Sequence, residues 1–172
     1  MKSLFAPWRY SYLVAEKTSV VCIFCQPPAA PDAAASLLVY QARHNFVILN
    51  RFPYSNGHVM VVPNSHLASL FQASSAVRAE MFDLAAACER VLREQYKADG
   101  INLGMNLGRA AGAGIDAHYH LHIVPRWEGD TNFMAVSADT RVIPEELPRT
   151  QSRIRVALLE LLGVEPSASS TE

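Results

Sequence analysis

Three histidines stand at alternate positions in the segment HYHLHIVPRW, residues 118–127. Successive side chains of a β-strand point to opposite faces, so His118, His120 and His122 are expected to share one face. The residues between them are apolar or aromatic and can be buried on the other face. This alternation predicts a row of three exposed imidazoles on a rigid strand. A purely structural role is the competing interpretation, but each imidazole would need a polar partner if it were buried.

A single metal ion is a poor match for the whole row. The outer two histidines are ~13 Å apart on an ideal strand, whereas a Zn–N bond is only ~2.1 Å long. Two neighbouring imidazoles could share an ion, but three would require a strong bend in the strand. The row is therefore expected to span two adjacent sites.

The segment CIFC places Cys22 and Cys25 at a spacing used for metal chelation and also for thiol–disulfide chemistry. A redox motif needs its first cysteine at a helix N-terminus, but the QPPAAP that follows disfavours a helix there. His66, in PNSHL, and His118 complete a Cys₂His₂ set suited to a closed, tetrahedral structural zinc site. Such an ion would tie the N-terminal segment to the sheet and fix one end of the histidine row.

The rest of the sequence alternates between strand and helix patterns. Short runs rich in β-branched and aromatic residues predict strands over 37–41, 45–49, 58–63, 101–108 and 118–124. Apolar residues three and four apart predict a helix from Ser75 to Lys97, with Cys88 on its buried face, and RIRVALLELLG predicts a second helix over 153–163. Short connections between strands favour an antiparallel sheet with helices packed on it, so the predicted fold class is α+β.

The chain has the size and composition of one globular domain. Of its 172 residues, 50% are hydrophobic and 18% are charged, which is typical of a packed domain. We divide the chain into an N-terminal extension, a main domain and a C-terminal helix with a frayed tail. These three parts are residues 1–21, 22–145 and 146–172.

Charge and cysteine usage argue against several classes of partner. A net charge of -1 gives no sign of a nucleic acid polymer, and no segment has the ~20 apolar residues needed to span a membrane. The first residues, MKSLFAPWRYSYLVAEK, lack the pattern of a secretory signal. The three cysteines, an odd number, argue against a disulfide framework. We therefore expect a reduced, cytoplasmic protein.

With its apolar continuation, the row His118-Tyr-His120-Leu-His122-Ile-Val resembles the signature of the histidine triad (HIT) family. The segments NRFPYSNGHVMVVPNSH, residues 50–66, and GINLGMNLG, residues 100–108, are also similar to that family. VPRWEGDTNFM and the early PWRYSYL resemble its diadenosine tetraphosphate phosphorylase-like or Fhit-like branch. The resemblance implies a five-stranded antiparallel sheet with a long helix packed on it, a nucleotide substrate and a homodimer.

The resemblance also implies roles for individual residues. His120 matches the nucleophile, which attacks the α-phosphorus and forms a nucleotidyl-histidine intermediate. His122 and His58 match flanking histidines that contact the phosphate and assist the leaving group. Asn50 matches a ribose contact, and Asn106 matches a contact to the α-phosphate or the bridging oxygen. The zinc ligands of the metal-containing members match the Cys₂His₂ set named above.

One segment departs from the family. Many members carry Ser, Thr or Gln just before the triad as a phosphate contact, whereas this chain has Gly114-Ile115-Asp116. Backbone N–H groups of the preceding AGAG could form an anion-binding nest instead, or His122 could carry more of the contact. Because Asp116 would repel an anion, we expect its side chain to turn away.

Imidazole chemistry suits a displacement at phosphorus. A histidine with an ordinary pKa of ~6.5 is largely neutral at physiological pH and can approach an anionic centre. Covalent catalysis by His120 would split one displacement into two. Its second ring nitrogen must then donate a hydrogen bond, most simply to a backbone carbonyl, and a neighbouring imidazole could carry the proton to the leaving group. Arg126, just beyond the strand, is either a ligand of the distal phosphates or an ordinary surface arginine.

The sequence therefore predicts a nucleotidyl hydrolase or phosphorylase that acts on dinucleoside polyphosphates or nucleoside phosphoramidates. Three alternatives stay open. They are a nucleotide-binding regulatory module with incidental turnover, a metalloenzyme whose ligands are the histidine row, and a thiol–disulfide protein. No residue separates hydrolysis from phosphorolysis or identifies the preferred base.

Overall fold

One antiparallel sheet is the frame around which the candidate residues are placed, and His122 and Arg126 lie on one of its strands. The structure, a computed structural model, describes residues 22–25, 36–130 and 145–165. Five strands are formed by β1 (Leu38–Gln41), β2 (Asn45–Leu49), β3 (Val59–Pro63), β4 (Gly100–Gly104) and β5 (Leu121–Arg126). Their order across the sheet is β1-β2-β3-β5-β4, so β5 lies between β3 and β4. The predicted α+β class and five-stranded antiparallel sheet are confirmed.

Two helices, α1 (Ser75–Tyr96) and α2 (Leu147–Leu162), pack on the sheet and on each other. The Ser74 hydroxyl accepts a hydrogen bond from the Val77 N–H at 3.3 Å, which satisfies one of the free donors at the start of α1. At the other end Lys97 has a left-handed φ of 51° and stops the helix. The helix predicted from Ser75 to Lys97 is thus confirmed.

The main hydrophobic core lies between α1 and the sheet. Tyr119, two residues before β5, and Leu121 and Ile123 of β5 are at most 2% exposed and belong to this core. Their burial confirms that the residues between the histidines face the helix. Cys88 of α1 is also buried there, and burial raises its pKa to about 12. This thiol is therefore a core residue, as its position on the helix predicted.

Two predicted strand boundaries were wrong. Strand β5 begins at Leu121 rather than at residue 118, because the Tyr119 N–H donates to the Leu67 carbonyl at 2.7 Å instead of entering the ladder. Strand β4 ends at Gly104 rather than at residue 108. Gly108 has a φ of 82° and starts a short 3₁₀ turn, a backbone conformation that is incompatible with a continuing strand.

The second helix begins earlier than the sequence predicted, at Leu147 rather than at residue 153. Pro148 lies in its first turn, where the missing N–H of proline costs no helical hydrogen bond. The added turns bring Gln151 to β1, where its side-chain amide donates to the Leu38 carbonyl at 2.6 Å. Pro148 therefore lies inside the helix, in its first turn.

Several predictions fall on residues that the structure does not describe. They are the extension 1–21 with its PWRYSYL segment, the QPPAAP segment within residues 26–35, residues 131–144 of the main domain and the last residues of the tail, 166–172. Within the described ranges, neither helix has the length and apolar character needed to cross a membrane.

Candidate active site and metal centre

A smaller hydrophobic cluster covers the face of the sheet turned away from α1. Its buried members are Phe24, Leu38, Phe46, Met60 and Val62. Phe24 does not belong to the sheet: it comes from the CIFC segment and is 8% exposed. The turn that carries it is closed by a hydrogen bond from the Cys25 N–H to the Cys22 carbonyl at 3.0 Å. This turn lies over the histidine row.

The predicted exposure of the row was therefore wrong. His118 is fully buried and His120 is 6% exposed, whereas His122 is half-buried. The ring centroid of Phe24 lies 5.5 Å from that of His118 and 5.1 Å from that of His120. Alternation predicted the face correctly, but it could not show that a distant aromatic ring covers that face. Phe24 is a site residue that was not predicted from the sequence. Its position between the predicted ligands Cys22 and Cys25 could have indicated that its ring lies near the metal centre.

The four predicted metal ligands come together. The ligand atoms of Cys22, Cys25, His66 and His118 all lie within 4.8 Å of one another. The Cys25 Sγ is 3.1 Å from the His66 Nδ1, and the His118 Nδ1 is 3.5 Å from the Cys22 Sγ. Two thiols and two imidazoles at these separations match a tetrahedral Zn²⁺ site.

The hydrogen bonds of His118 also fit a metal ligand. Its Nε2–H donates to the Pro63 carbonyl at 2.9 Å, which leaves the Nδ1 lone pair facing the two sulfurs. Such an outer partner fixes the tautomer and the ring orientation of a metal-binding histidine. The donor set and its surroundings are therefore suited to zinc.

His120 has the hydrogen bond that its predicted role requires. Its Nδ1 lies 3.0 Å from the His118 carbonyl oxygen, and only an Nδ1–H can donate to that acceptor. The neutral ring then carries its free lone pair on Nε2. Burial lowers the pKa of His120, although the bond to the His118 carbonyl opposes this shift. The Nε2 is therefore a neutral, unprotonated nitrogen at physiological pH.

His58 and His122 form a hydrogen-bonded pair across β3 and β5. The His58 Nε2 is 3.0 Å from the His122 Nδ1, and the Tyr54 N–H donates to the His58 Nδ1 at 3.1 Å. Because Nδ1 of His58 is an acceptor, its proton must sit on Nε2 and be donated to His122. The neutral His122 then carries its own proton on Nε2. Tyr54, whose ring centroid lies 4.8 Å from that of His58, was missed by the sequence analysis.

This pair is held in the neutral form. Burial, with smaller contributions from His122 and His120, lowers the pKa of His58 to about 3. Burial and the neighbouring His120 lower the pKa of His122 to about 4. The hydrogen bonds favour the same state, because each Nδ1 lone pair is already used as an acceptor and a further proton would displace its donor.

Of the two predicted asparagines, Asn50 lies beside these histidines. The Asn50 Nδ2 is 3.5 Å from the His58 Nε2, and its Oδ1 accepts from the Phe52 N–H at 3.0 Å. Asn106 lies two residues beyond Gly104, which pairs with His122. Because β4 ends at Gly104, Asn106 lies in the segment that connects this strand to the 3₁₀ turn at Arg109.

Arg126 shares a face of β5 with His122, four residues away along the strand. Its guanidinium donates to both carboxylate oxygens of Asp130, with one distance of 2.8 Å, and to the Asn102 Oδ1 at 3.0 Å. The structure thus places Arg126 in an ion pair at the end of the strand, ~13 Å from His122 along an ideal strand.

The unusual Asp116 is also paired. Its Oδ2 accepts from the Arg109 Nε at 2.6 Å, and Arg109 lies in the 3₁₀ turn that follows Gly108. An arginine that neutralises this carboxylate explains how an acidic residue can stand just before the histidine row. The Asp116 side chain was expected to turn away from the site, but its pairing with Arg109 was not predicted.

Comparisons with known proteins agree with this geometry. The sequence profile of the HIT domain matches residues 32–129. AP-4-A phosphorylase from Mycobacterium tuberculosis is 31% identical over 159 residues, which cover 88% of this chain and 81% of that protein. A zinc-bound histidine triad family protein from Mycobacterium smegmatis superposes with a TM-score of 0.65 at 29% identity, over 84% of this chain and 97% of its own. A hypothetical histidine triad nucleotide-binding protein from Sulfolobus tokodaii superposes with a TM-score of 0.60 at 31% identity, over 73% and 85%.

Proposed function

Because this chain belongs to the histidine triad (HIT) domain family, it is a nucleotide hydrolase or phosphorylase, and we propose that its substrate is a dinucleoside polyphosphate such as diadenosine tetraphosphate. The similar M. tuberculosis protein is named for phosphorolysis of that compound. One observation carries the proposal. The hydrogen bond from His120 Nδ1 to the His118 carbonyl leaves the Nε2 lone pair free to attack phosphorus.

The proposed reaction has two displacements. In the first, the His120 Nε2 forms a bond to the α-phosphorus while the bond from phosphorus to the bridging oxygen breaks. The leaving nucleotide takes the electron pair, and the His120 Nδ1–H stays on the backbone carbonyl. In the second, water or inorganic phosphate attacks the same phosphorus, and the electron pair returns to Nε2. Hydrolysis and phosphorolysis differ only in this second nucleophile.

The neutral His58–His122 pair favours one class of leaving group. A nucleoside di- or triphosphate can depart as a stable anion and needs only a hydrogen bond from the Nε2–H of His122. An amine, the leaving group of a phosphoramidate, needs full proton transfer, and a neutral imidazole is a poor proton donor. Low pKa values for both histidines therefore support dinucleoside polyphosphates over nucleoside phosphoramidates.

The remaining contacts are proposed for the residues around these histidines. Asn50 would hydrogen-bond the ribose hydroxyls, since its amide already lies next to His58. Asn106 would contact the α-phosphate or the bridging oxygen. Arg126 would reach the distal phosphates only if a polyphosphate displaced Asp130 from its guanidinium. Exposed ion pairs of this kind are typically worth ~0–1 kcal/mol, so such an exchange costs little.

We propose that the Cys₂His₂ cluster holds a structural zinc ion. Cys22, Cys25, His66 and His118 would be its ligands. When bound, the ion would cross-link the CIFC turn to the sheet, because two ligands lie on that turn and two lie beside the sheet. A closed set of four protein ligands leaves no open position for substrate, so we assign no catalytic role to the metal.

The alternatives make different predictions. A metalloenzyme that uses the histidine row as ligands needs His120 on the ion, but the His120 Nδ1 is engaged by a carbonyl and the metal cluster formed within the described ranges does not include it. A thiol–disulfide protein needs a reactive Cys22 at a helix N-terminus, whereas residues 22–25 form a turn. A nucleotide-binding regulatory module predicts that binding matters and turnover does not.

The decisive experiment is product analysis with diadenosine tetraphosphate, with and without inorganic phosphate. ADP that forms only in the presence of phosphate identifies a phosphorylase, and AMP with ATP in water alone identifies a hydrolase. The wild type should form an acid-labile AMP adduct that mass spectrometry can detect. His120→Asn should lack both this adduct and turnover, while bound zinc stays at the wild-type ratio. Loss of zinc in this variant would support the metalloenzyme. Absence of turnover in the wild type with any nucleotide would support the binding module.

A matched control is available at His44, which lies in the connection between β1 and β2 and whose backbone N–H donates to Glu80 at 2.8 Å. His44→Ala should keep full activity, so that a loss specific to His120 can be separated from the general effect of removing an imidazole. Nucleotide affinity of His120→Asn, measured by calorimetry, should stay within about threefold of the wild type.

A homodimer is proposed on the basis of the exposed edge of the sheet. Strand β4 is an edge strand. Leu103, on this strand, is 48% exposed, and Leu107, three residues after it, is 43% exposed. Pairing of this edge with a second copy would cover both leucines and the free backbone groups. Light scattering after size-exclusion chromatography should give twice the mass of one chain.

A cytoplasmic location stays a prediction that the reduced thiols of the metal cluster would favour.

A further inference from the structure

We propose that Phe24 is a positioning residue for His120, and that the metal centre orients the nucleophile through the turn that carries this ring. Phe24 stands between the two cysteine ligands, and its ring covers the imidazole that we assign as the nucleophile. The inference rests on the proposed function for its kinetic consequence, but its structural consequence can be measured without turnover.

The first connection is through the side chain of Phe24. Its ring centroid is 5.1 Å from that of His120, with a tilt of 57° between the planes, and the ring is 8% exposed. The other side of Phe24 is packed edge-on against Phe46, with centroids 6.5 Å apart. The ring is thus wedged between the sheet and His120. It closes one side of the space in which the imidazole could rotate.

The second connection is through the backbone of His118. The Nδ1 of this residue lies 3.5 and 3.6 Å from the two cysteine sulfurs, whereas its carbonyl oxygen accepts the bond from the His120 Nδ1. One residue is therefore a ligand of the metal centre and also the acceptor that selects the attacking tautomer. This peptide lies outside the regular ladder, which begins at Leu121. It is held instead by the Tyr119 N–H, which donates to the Leu67 carbonyl at 2.7 Å, and by the His118 side chain at the metal centre.

Both connections have the same consequence for catalysis. A displacement at phosphorus requires the Nε2 lone pair to point along the line of attack, and a misplacement of ~1 Å can reduce the rate about a hundredfold. A ring that is free to rotate about its side-chain torsions spends part of its time in other orientations and tautomers. Holding the CIFC turn against the sheet removes those states.

The direct test measures the His120 ring by NMR. In protein labelled with ¹⁵N-histidine, His120 signals are assigned by their loss in His120→Asn. The wild type with bound zinc should show one tautomer, with the proton on Nδ1. Phe24→Ala should give shifts averaged between tautomers, and so should wild-type protein from which a chelator has removed the metal. Phe24→Leu, which keeps an apolar cover, should restore the wild-type pattern.

A matched control is Ile23→Ala, because Ile23 lies between the same two cysteines but is 59% exposed. This variant should keep the wild-type His120 signals and zinc content. Unchanged His120 signals in both Phe24→Ala and the metal-free protein would overturn the proposal. So would a disturbance of equal size in Ile23→Ala, because the effect would then not be specific to the covering ring.

The kinetic test separates positioning from contact with the substrate. Phe24→Ala should lower kcat for diadenosine tetraphosphate at least tenfold and leave KM within about threefold, with kcat recovered in Phe24→Leu. A raised KM with unchanged kcat would instead identify Phe24 as a ligand contact and overturn the proposal. If the wild type lacks turnover, the proposed function fails, and the NMR comparison still decides the role of Phe24.

Discussion

Acid sensitivity of folding gives a sharp test of the site, and His58 is the residue to change. Its pKa falls from an ordinary 6.5 to about 3, first because the ring is buried and then because His122 and His120 lie nearby. At pH 5 the unfolded chain therefore binds a proton that the folded protein does not bind. The part of the folding stability that depends on a neutral His58 is therefore fully present above pH 6.5. It is lost as the pH falls from 6.5 towards 3.

The magnitude follows from the two pKa values. Each pH unit between them is worth ~1.4 kcal/mol for one group, and the unfolded histidine is half protonated at its own pKa. Between pH 7 and pH 5 the free energy of unfolding should fall by ~2 kcal/mol because of His58 alone. His58→Asn should remove this part of the loss, and the asparagine oxygen can still accept from the Tyr54 N–H.

The assay is urea unfolding of the wild type and His58→Asn at pH 7 and pH 5. Acid also protonates the metal ligands and His122, but both proteins retain those groups, so the difference between them isolates His58. The variant should lose ~2 kcal/mol less stability than the wild type over this interval. Equal losses in the two proteins would refute a neutral, buried His58, and with it the tautomers assigned to the His58–His122 pair.

Three further changes test other parts of the structure. Cys25→Ser should lose most of the bound zinc by elemental analysis and lower Tm, and zinc at the wild-type ratio would place the ion elsewhere. Gly57→Ala should cost ~1–3 kcal/mol in urea unfolding, because Gly57 has a φ of 77° and an added Cβ would lie 2.7 Å from Leu92. Stability equal to the wild type would contradict that geometry. Glu145→Gln should cost ~1–2 kcal/mol in urea unfolding while kcat stays unchanged, because it removes the ion pair with Arg153 and weakens the hydrogen bond from the Tyr96 hydroxyl at 2.6 Å. A loss of kcat would connect α2 to the reaction.

Local periodicity explains why much of the fold could be predicted. In a strand every second side chain lies on the same face, and in a helix side chains three and four positions apart lie on the same side. The faces of β5 and the extent of α1 could therefore be found without knowledge of the neighbours. Boundaries were harder to predict, because the Tyr119 N–H donates to a loop carbonyl instead of entering the ladder and Pro148 lies in the first turn of a helix instead of preceding it.

By itself, the sequence determined which residue types could do chemistry and which face of the strand they share. It also grouped two thiols with two imidazoles by their donor chemistry. The structure brings these four residues together, whereas the ion they would bind stays a prediction. Tertiary structure alone decided that the row is buried and that each imidazole has one tautomer. Those properties depend on contacts between segments far apart in the chain, such as Cys22 and His118, 96 positions apart. Burial and hydrogen-bond direction come from such neighbours, and no local pattern encodes them.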